Sequence, residues 1–231
     1  MQLFITEFQK KENIITIENT EVLSQIRKVL RMKIWDSLFV QNEDARYELE
    51  IVDWNDKSFS GKIKNKIKFD WNKSQNWIAI AIPNKRDKIE LLIQKISEIW
   101  IKNIYFWPSE RSIIRERNNK KDERLKKIAK EAIEQSWWRF IPEIKFVKNI
   151  SEIIWWKNII IFDKSDENNT YNFNEKNENI LGIVWPEWWL TKNDYEKIWK
   201  NHKIISLWDT VLRTETAWII AAWLIKNTSL S

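Results

Sequence analysis

The sequence predicts a mixed α/β protein in two parts, an N-terminal small β-barrel and a C-terminal parallel sheet covered by helices. Three observations carry this expectation. Short β-branched runs fill the first seventy positions, the polar stretch Asn72-Lys73-Ser74-Gln75-Asn76 breaks the pattern, and strand-then-helix alternation follows from Trp77. The boundary falls there, giving one domain over 1–72 and a second over 73–231.

In the first part the strand runs are Leu3–Ile5, Ile14–Ile17, Leu38–Val40, Tyr47–Val52 and Ser58–Ile63, bounded by polar turns. One helix interrupts them, Glu21–Arg31, capped by Thr20 or Asn19. It turns Val22, Ile26, Val29 and Leu30 inward and Arg27, Lys28 and Arg31 outward. In the second part strand Ile78–Ile82 leads to helix Lys88–Ile99, whose Ile89, Leu92, Ile93, Ile96 and Ile99 make one apolar stripe. Strand Asn103–Phe106 precedes helix Asp122–Gln135, and strand Asn158–Phe162 follows. Strand Ile180–Val184 precedes helix Lys192–Trp199, and strand Lys203–Ser206 precedes helix Arg213–Ile225. Ligands of such sheets bind beyond the carboxyl ends of the strands, so the loops after Val184 and Ser206 are the first candidates for a site.

Composition narrows the function. With no cysteine and a single histidine, His202, neither a disulfide framework nor a soft-ligand metal site can be assembled. The longest apolar stretch, Ala217–Ile225, is about half of what a membrane-crossing helix needs, and Met1–Lys11 lacks a signal-peptide pattern. A cytoplasmic location and no membrane partner are the expectation. A net charge of +6, from 39 basic and 33 acidic residues, favours an anionic partner such as nucleic acid.

The chain holds 17 tryptophans and 2 glycines. Glycine ordinarily makes about 7% of residues and supplies turns that other residues cannot. Tryptophan and glycine together fill about 8% of the chain, close to the ordinary glycine share alone. Several tryptophans also stand where a turn is expected, as in Asp53-Trp54-Asn55, Asp70-Trp71-Asn72 and Val184-Trp185-Pro186-Glu187-Trp188-Trp189, although indole has no preference for positive φ. The pattern reads as glycine in the living protein, through a codon such as UGA translated as Trp in one genetic code and as Gly in the source organism.

Read in that way, Leu181 to Thr191 becomes a strand followed by G-P-E-G-G-L-T and a helix start. Glycines there let backbone amides approach a ligand, and the helix N-terminus adds its positive end. The segment Ser206 to Ala217 becomes S-L-G-D-T-V-L-R-T-E-T-A and opens the last helix.

On these two blocks the chain resembles the RsmE family, the small-subunit ribosomal RNA uracil-N3 methyltransferases of the knotted SPOUT superfamily. Three further blocks extend the likeness over the whole chain. Val29-Leu30-Arg31-Met32-Lys33-Ile34-Trp35-Asp36 resembles the family's V-L-R-x-K-x-G-D. Ser109-Glu110-Arg111-Ser112 matches its S-E-R-S, and Glu131 to Trp137 resembles its E-A-x-E-Q-S-G. Where these blocks have glycine, tryptophan stands.

The resemblance implies an N-terminal PUA-like β-barrel that helps hold RNA and a C-terminal SPOUT α/β domain with a trefoil knot. It also implies a homodimer and S-adenosyl-L-methionine as cofactor. The cofactor pocket would be formed by Val184, Trp185, Pro186, Trp188 and Trp189 on one loop and Leu207, Trp208, Val211 and Leu212 on the other. Methyl transfer to uracil N3 needs stabilisation of the deprotonated imide, a role suited to the Arg213 guanidinium. Glu187 or Glu215 would accept the proton or orient Arg213, and each equally suits a helix-start carboxylate facing the macrodipole. Arg27, Arg31 and Lys33 in the first part, and Arg111 and Arg139 in the second, are candidates for phosphate contact with small-subunit ribosomal RNA. Two alternatives remain open: a non-catalytic RNA-binding or ribosome-assembly protein of the same fold, and a knotted methyltransferase acting at another RNA position.

Overall fold

The computed structural model describes residues 2–69, 76–112, 119–155, 157–163, 179–185, 190–198, 202–207 and 212–228. These residues divide into two compact units, one of Met1–Trp71 with Ile133–Arg139 and one of Asn72–Ala132 with Phe140–Ser231.

The first unit is built from β1 (Leu3–Ile5), β2 (Gln9–Lys11), β3 (Ile14–Ile17), β4 (Ser37–Gln41), β5 (Ala45–Trp54) and β6 (Phe59–Lys68). They form one sheet in the order β1-β4-β5-β6-β3-β2, antiparallel except where β1 runs beside β4. Residues of β5 alternate between buried and partly exposed from Ala45 to Val52, as a strand with one covered face must. The pairing of β5 with β6 shifts register at Glu48/Leu49 and Ile51/Asp53, irregularities that bend and twist a sheet. β2 carried no signal in the sequence, because its Gln9-Lys10-Lys11 is exposed throughout and shows no alternation.

Helix α1 (Thr20–Ser24) starts at Asn19, whose Oδ1 accepts the amides of Glu21 and Val22 at 3.0 and 3.1 Å. It continues as a wider π-helical turn over Gln25–Val29. That widening corrects the sequence expectation for its apolar face. Val22, Leu23 and Ile26 are buried with Phe4, Leu38, Leu49 and Phe59, whereas Val29 is 71% exposed and Leu30 38%. With more residues per turn, the 3.6-residue stripe no longer extends past Ile26.

Ile133–Arg139 joins this unit through hydrogen bonds to its backbone. Arg46 Nη2 donates to the carbonyls of Trp137 and Trp138 at 2.7 and 3.0 Å, and Gln41 Nε2 to those of Trp138 and Arg139 at 3.2 and 2.9 Å. Glu134 accepts the Ile5 amide at 2.7 Å. Nothing in the local periodicity of 133–139 announces such long-range bonds.

In the second unit β7 (Asn76–Ala81), β8 (Asn103–Trp107), β9 (Glu143–Phe146), β10 (Asn158–Phe162), β11 (Ile180–Val184) and β12 (His202–Ile205) form a wholly parallel sheet. The order is β12-β10-β11-β7-β8-β9. The chain therefore proceeds outward from β7 to β9, then returns to the other side, where β11 enters between β10 and β7. Strand order reverses at β7/β11, and the crevice beyond their carboxyl ends is the favoured place for a ligand.

Alternate side chains feed two cores. Ile78, Ile80, Ile104 and Phe106 pack with α2 (Arg86–Glu98) and α6 (Thr214–Thr228). Ala79, Tyr105, Ile161 and Ile183 pack on the other side with Ile153 and Ile154 of α4 (Ser151–Ile154). Among the described residues the other α-helices are α3 (Asn119–Ser136) and α5 (Lys192–Lys197). A parallel sheet covered on both faces accounts for strands that read as continuous apolar runs. Among the described residues, no helix is long and apolar enough to cross a membrane.

Gly182, in the middle of β11, lets α6 approach closely. A Cβ there would lie 2.8 Å from Ile225 Cγ1 and 3.0 Å from Phe162 Cε2, both in the core. Gly182→Ala is expected to cost about 1–3 kcal/mol by overpacking, read as a lower urea midpoint with an unchanged slope.

Six residues other than glycine have positive φ among those described, and three of them are tryptophans. Trp35, at φ 80°, is the third residue of a turn closed by the Asp36 amide on the Lys33 carbonyl at 3.1 Å, a position that calls for glycine. Trp100, at φ 76°, follows the end of α2. Its amide donates to Ser97 O at 3.0 Å, and that of Ile101 to Ile96 O at 3.3 Å, the paired bonds of a Schellman stop. Trp137, at φ 59°, comes directly after α3. A side chain branching from each of these backbones costs on the order of 1–3 kcal/mol.

Candidate RNA and cofactor site

The carboxyl ends of the central β11 and the edge strand β12 lead into the candidate loops of the second unit. β11 ends at the fully buried Val184, and Trp185 beyond it is 7% exposed, its carbonyl accepting the Trp218 indole N–H at 3.0 Å. Pro186, Glu187, Trp188 and Trp189 lie outside the described residues, as do Trp208 and Val211. The chain re-enters at Leu190, half-buried against the core, and Thr191 caps α5. Leu207 and Leu212, on either side of the second loop, pack against the same core and remain partly open.

Arg213 is exposed just before α6, and its carbonyl accepts the Ala217 amide at 3.0 Å, so its position is fixed by the helix start. Glu215 sits in the first turn of α6 and forms an ion pair with Lys88 of α2, Oε1 to Nζ 2.8 Å. The Lys88 hydrogen bond and the helix-start amide hold its carboxyl below the usual range, so it is a weak base at neutral pH.

A third loop lies at the same end of the sheet. Ser109 and Ser112, after β8, are both buried and share a hydroxyl bond of 2.9 Å, while Ser112 Oγ donates to Ile82 O at 3.3 Å just beyond β7. Glu110 and Arg111, between them, are exposed. Next to β10, Asp163 accepts the Tyr195 hydroxyl at 2.5 Å, and its own amide donates to Ile205 O at 3.1 Å. Burial and that bond push the Tyr195 phenol well above its ordinary value, so it stays protonated. Sequence reasoning passed over Asp163, Lys88 and Tyr195, whose partners are distant in the chain.

The remaining candidate cations belong to the first unit. Arg27 is occupied by the β5–β6 turn, bonding the Asn55 carbonyl, pairing with Asp56 at 3.4 Å and lying 5.4 Å over the Trp54 ring. Arg31, at φ 53°, and Lys33 are exposed, and the Lys33 amide donates to Asp36 Oδ2 at 2.7 Å. Arg139 is half-buried, its guanidinium 6.0 Å over the Trp138 ring.

At the amino ends of the strands, away from these loops, Lys157 is buried. Its ammonium lies 5.0 Å over both the Trp77 and Tyr105 rings and donates to Ile153 O at 3.0 Å. Desolvation, with nearby Lys145, brings its pKa down to about 8. Between pH 8 and the ordinary value of 10.5 the unfolded chain binds more protons than the folded one, so stability should rise with pH across that window. Urea unfolding at stepped pH checks this, and Lys157→Met should reduce the rise to the smaller part that the partly desolvated Lys226 contributes.

Residues 71–226 match the model of a family described as the RNA methyltransferase domain. The chain belongs to the RNA methyltransferase family. It is similar to two proteins named ribosomal RNA small subunit methyltransferase E. The one from Rickettsia conorii is 28% identical over 95% of this chain and 92% of its own length. The one from Bacillus subtilis is 26% identical over 94% and 93%. A crystal structure of the namesake from Neisseria gonorrhoeae, bound to S-adenosyl methionine, shares the fold at a TM-score of 0.76 and 17% identity, over 96% of this chain and 95% of that one. In this RNA methyltransferase the candidate loops thus lie within the matched region, at the end of the sheet that the fold reserves for ligands.

Proposed function

We propose that this RNA methyltransferase transfers a methyl group from S-adenosylmethionine to N3 of a uridine in small-subunit ribosomal RNA. The observation that carries the reading is that the end of β11 at Val184, the start of α5 at Lys192 and the arginine-bearing start of α6 all lie at the carboxyl end of one parallel sheet. Leu190, Leu207 and Leu212 leave partly open apolar surface there, which suits the flat face of an adenine. When bound, the cofactor supplies an electrophilic methyl on a sulfonium. The protein's residues do the rest. Arg213 stabilises negative charge as it spreads over the uracil carbonyl oxygens. Glu215 is committed to Lys88 and fixes the start of α6, which leaves Glu187 as the carboxylate to take the N3 proton.

The same reading includes a PUA-like closure of the first sheet into an RNA-holding barrel, a trefoil knot in the second unit and a homodimer. The register shifts of β5 and β6 support the closure, because such irregularities curve a sheet. The entry of β11 between β10 and β7 supports a threaded topology. It also includes glycine, in the cellular protein, at the tryptophan turn positions. Trp35, Trp100 and Trp137 support this, each with the backbone of a glycine.

The test is nucleoside mass spectrometry of small-subunit RNA incubated with S-adenosylmethionine and the chain carrying glycine at positions 185, 188, 189 and 208. N3-methyluridine is expected. 2′-O-methyluridine would move the activity to another RNA position, and no methylated nucleoside would leave a non-catalytic RNA-binding protein.

A further inference from the structure

We propose that Asp194 is a positioning residue whose carboxylate clasps the Arg111-bearing turn to the start of α5, holding an RNA-contacting arginine at the carboxyl end of the sheet. The inference rests on the reading of Arg111 as an RNA contact and of 184–191 as that loop. Asp194 is wholly buried, yet it lies in the first turn of a short helix. As a helix cap it needs only its own turn: Oδ2 accepts the Thr191 amide and hydroxyl, both at 3.1 Å, while Thr191 Oγ1 accepts the Asp194 amide at 3.2 Å.

The second oxygen does something a cap does not require. Oδ1 accepts the Glu110 amide at 2.9 Å, across 84 residues of chain. Beside it Asn193 Nδ2 donates to Glu110 Oε1 at 2.7 Å, and hydrogen bonds from Thr191 and Asn193 hold that carboxyl below its ordinary value. Lys197 Nζ of the same helix lies 3.6 Å from Oδ1. The turn is thus pinned at both ends, through Ser112 to Ile82 and through Glu110 to Asp194, with Arg111 between the two pins. A carboxyl group that accepts N–H and O–H bonds on both of its oxygens is a directional tether. Its two oxygens serve two loops, so an amide in its place can satisfy only one of them.

The experiment uses the full chain with glycine at 185, 188, 189 and 208, and compares Asp194→Asn, Asp194→Ala and Asn193→Ala. RNA affinity is read by filter binding without turnover, and the kcat and KM for RNA are read separately. S-adenosylmethionine affinity and thermal unfolding report the integrity of the loop and the fold. Asp194→Asn is expected to weaken RNA binding and lower kcat/KM for RNA by roughly ten-fold or more, since small misplacements of a contacting group are costly. Cofactor affinity should stay within about three-fold, and Asn193→Ala, which keeps the cap, should show a smaller loss in the same direction. Unchanged RNA affinity and kcat/KM in a folded Asp194→Asn chain would overturn the clasp and leave Asp194 as a helix cap. A glycine-bearing parent whose RNA binding falls in Asp194→Asn but which itself transfers no methyl would keep the clasp and sink the methyltransferase reading.

Discussion

Arg213→Ala is expected to lower the rate of methyl transfer to RNA by about 10²–10³, the usual cost of removing one preorganised group aimed at developing charge. The side chain stands exposed at the head of α6, one residue beyond the half-buried Leu212 and two before the paired Glu215. Its removal leaves the core contacts of α6 in place, because Ala217, Trp218, Ala221 and Ile225 carry them. The loss should therefore fall on kcat, with cofactor affinity within about three-fold of the parent and the unfolding midpoint unchanged. Lysine at 213 should restore only part of the rate, since an ammonium cannot present a planar fork to two carbonyl oxygens. Single-turnover kinetics with small-subunit RNA would check this, and an Arg213→Ala chain as fast as the parent would remove Arg213 from the chemistry.

The second large effect concerns the loops themselves. A chain with tryptophan at 185, 188, 189 and 208 is expected to bind S-adenosylmethionine at least 100-fold more weakly than W185G/W188G/W189G/W208G in calorimetric titration. A cofactor loop works by bringing backbone amides against its ligand, and bulky side chains in place of glycine at these positions would keep a ligand from that backbone. Losing two such bonds at about 1–1.5 kcal/mol each already approaches that factor. Equal affinity in the two chains would show that the indoles are compatible with the pocket.

Much of the fold was legible because the second unit obeys simple grammar. β10 and β11 begin and end where their apolar runs do, and the stripe Ile89, Leu92, Ile93, Ile96 is the buried face of α2. Local pattern failed where long-range contacts decide. The exposed β2 exists only because it pairs with β3, and Val29 and Leu30 left the helix face when the helix widened. Ile133–Arg139 joined the first unit through carbonyls bound by Arg46 and Gln41, bonds that no periodicity encodes. At the candidate site the two signature blocks fixed which loops to inspect. The capping of α5 by Thr191 and the reach of Asp194 to Glu110 were not read from them, the latter because it depends on two loops meeting in space.

The most direct test of whether this chain is a working methyltransferase is the peptide mass, in protein isolated from its source, across Gly182–Lys192. The account predicts glycine at positions 185, 188 and 189, a loop whose backbone can cradle the cofactor. Tryptophan at those positions would contradict it, and the protein would then be an RNA-binding relative whose cofactor loop is filled.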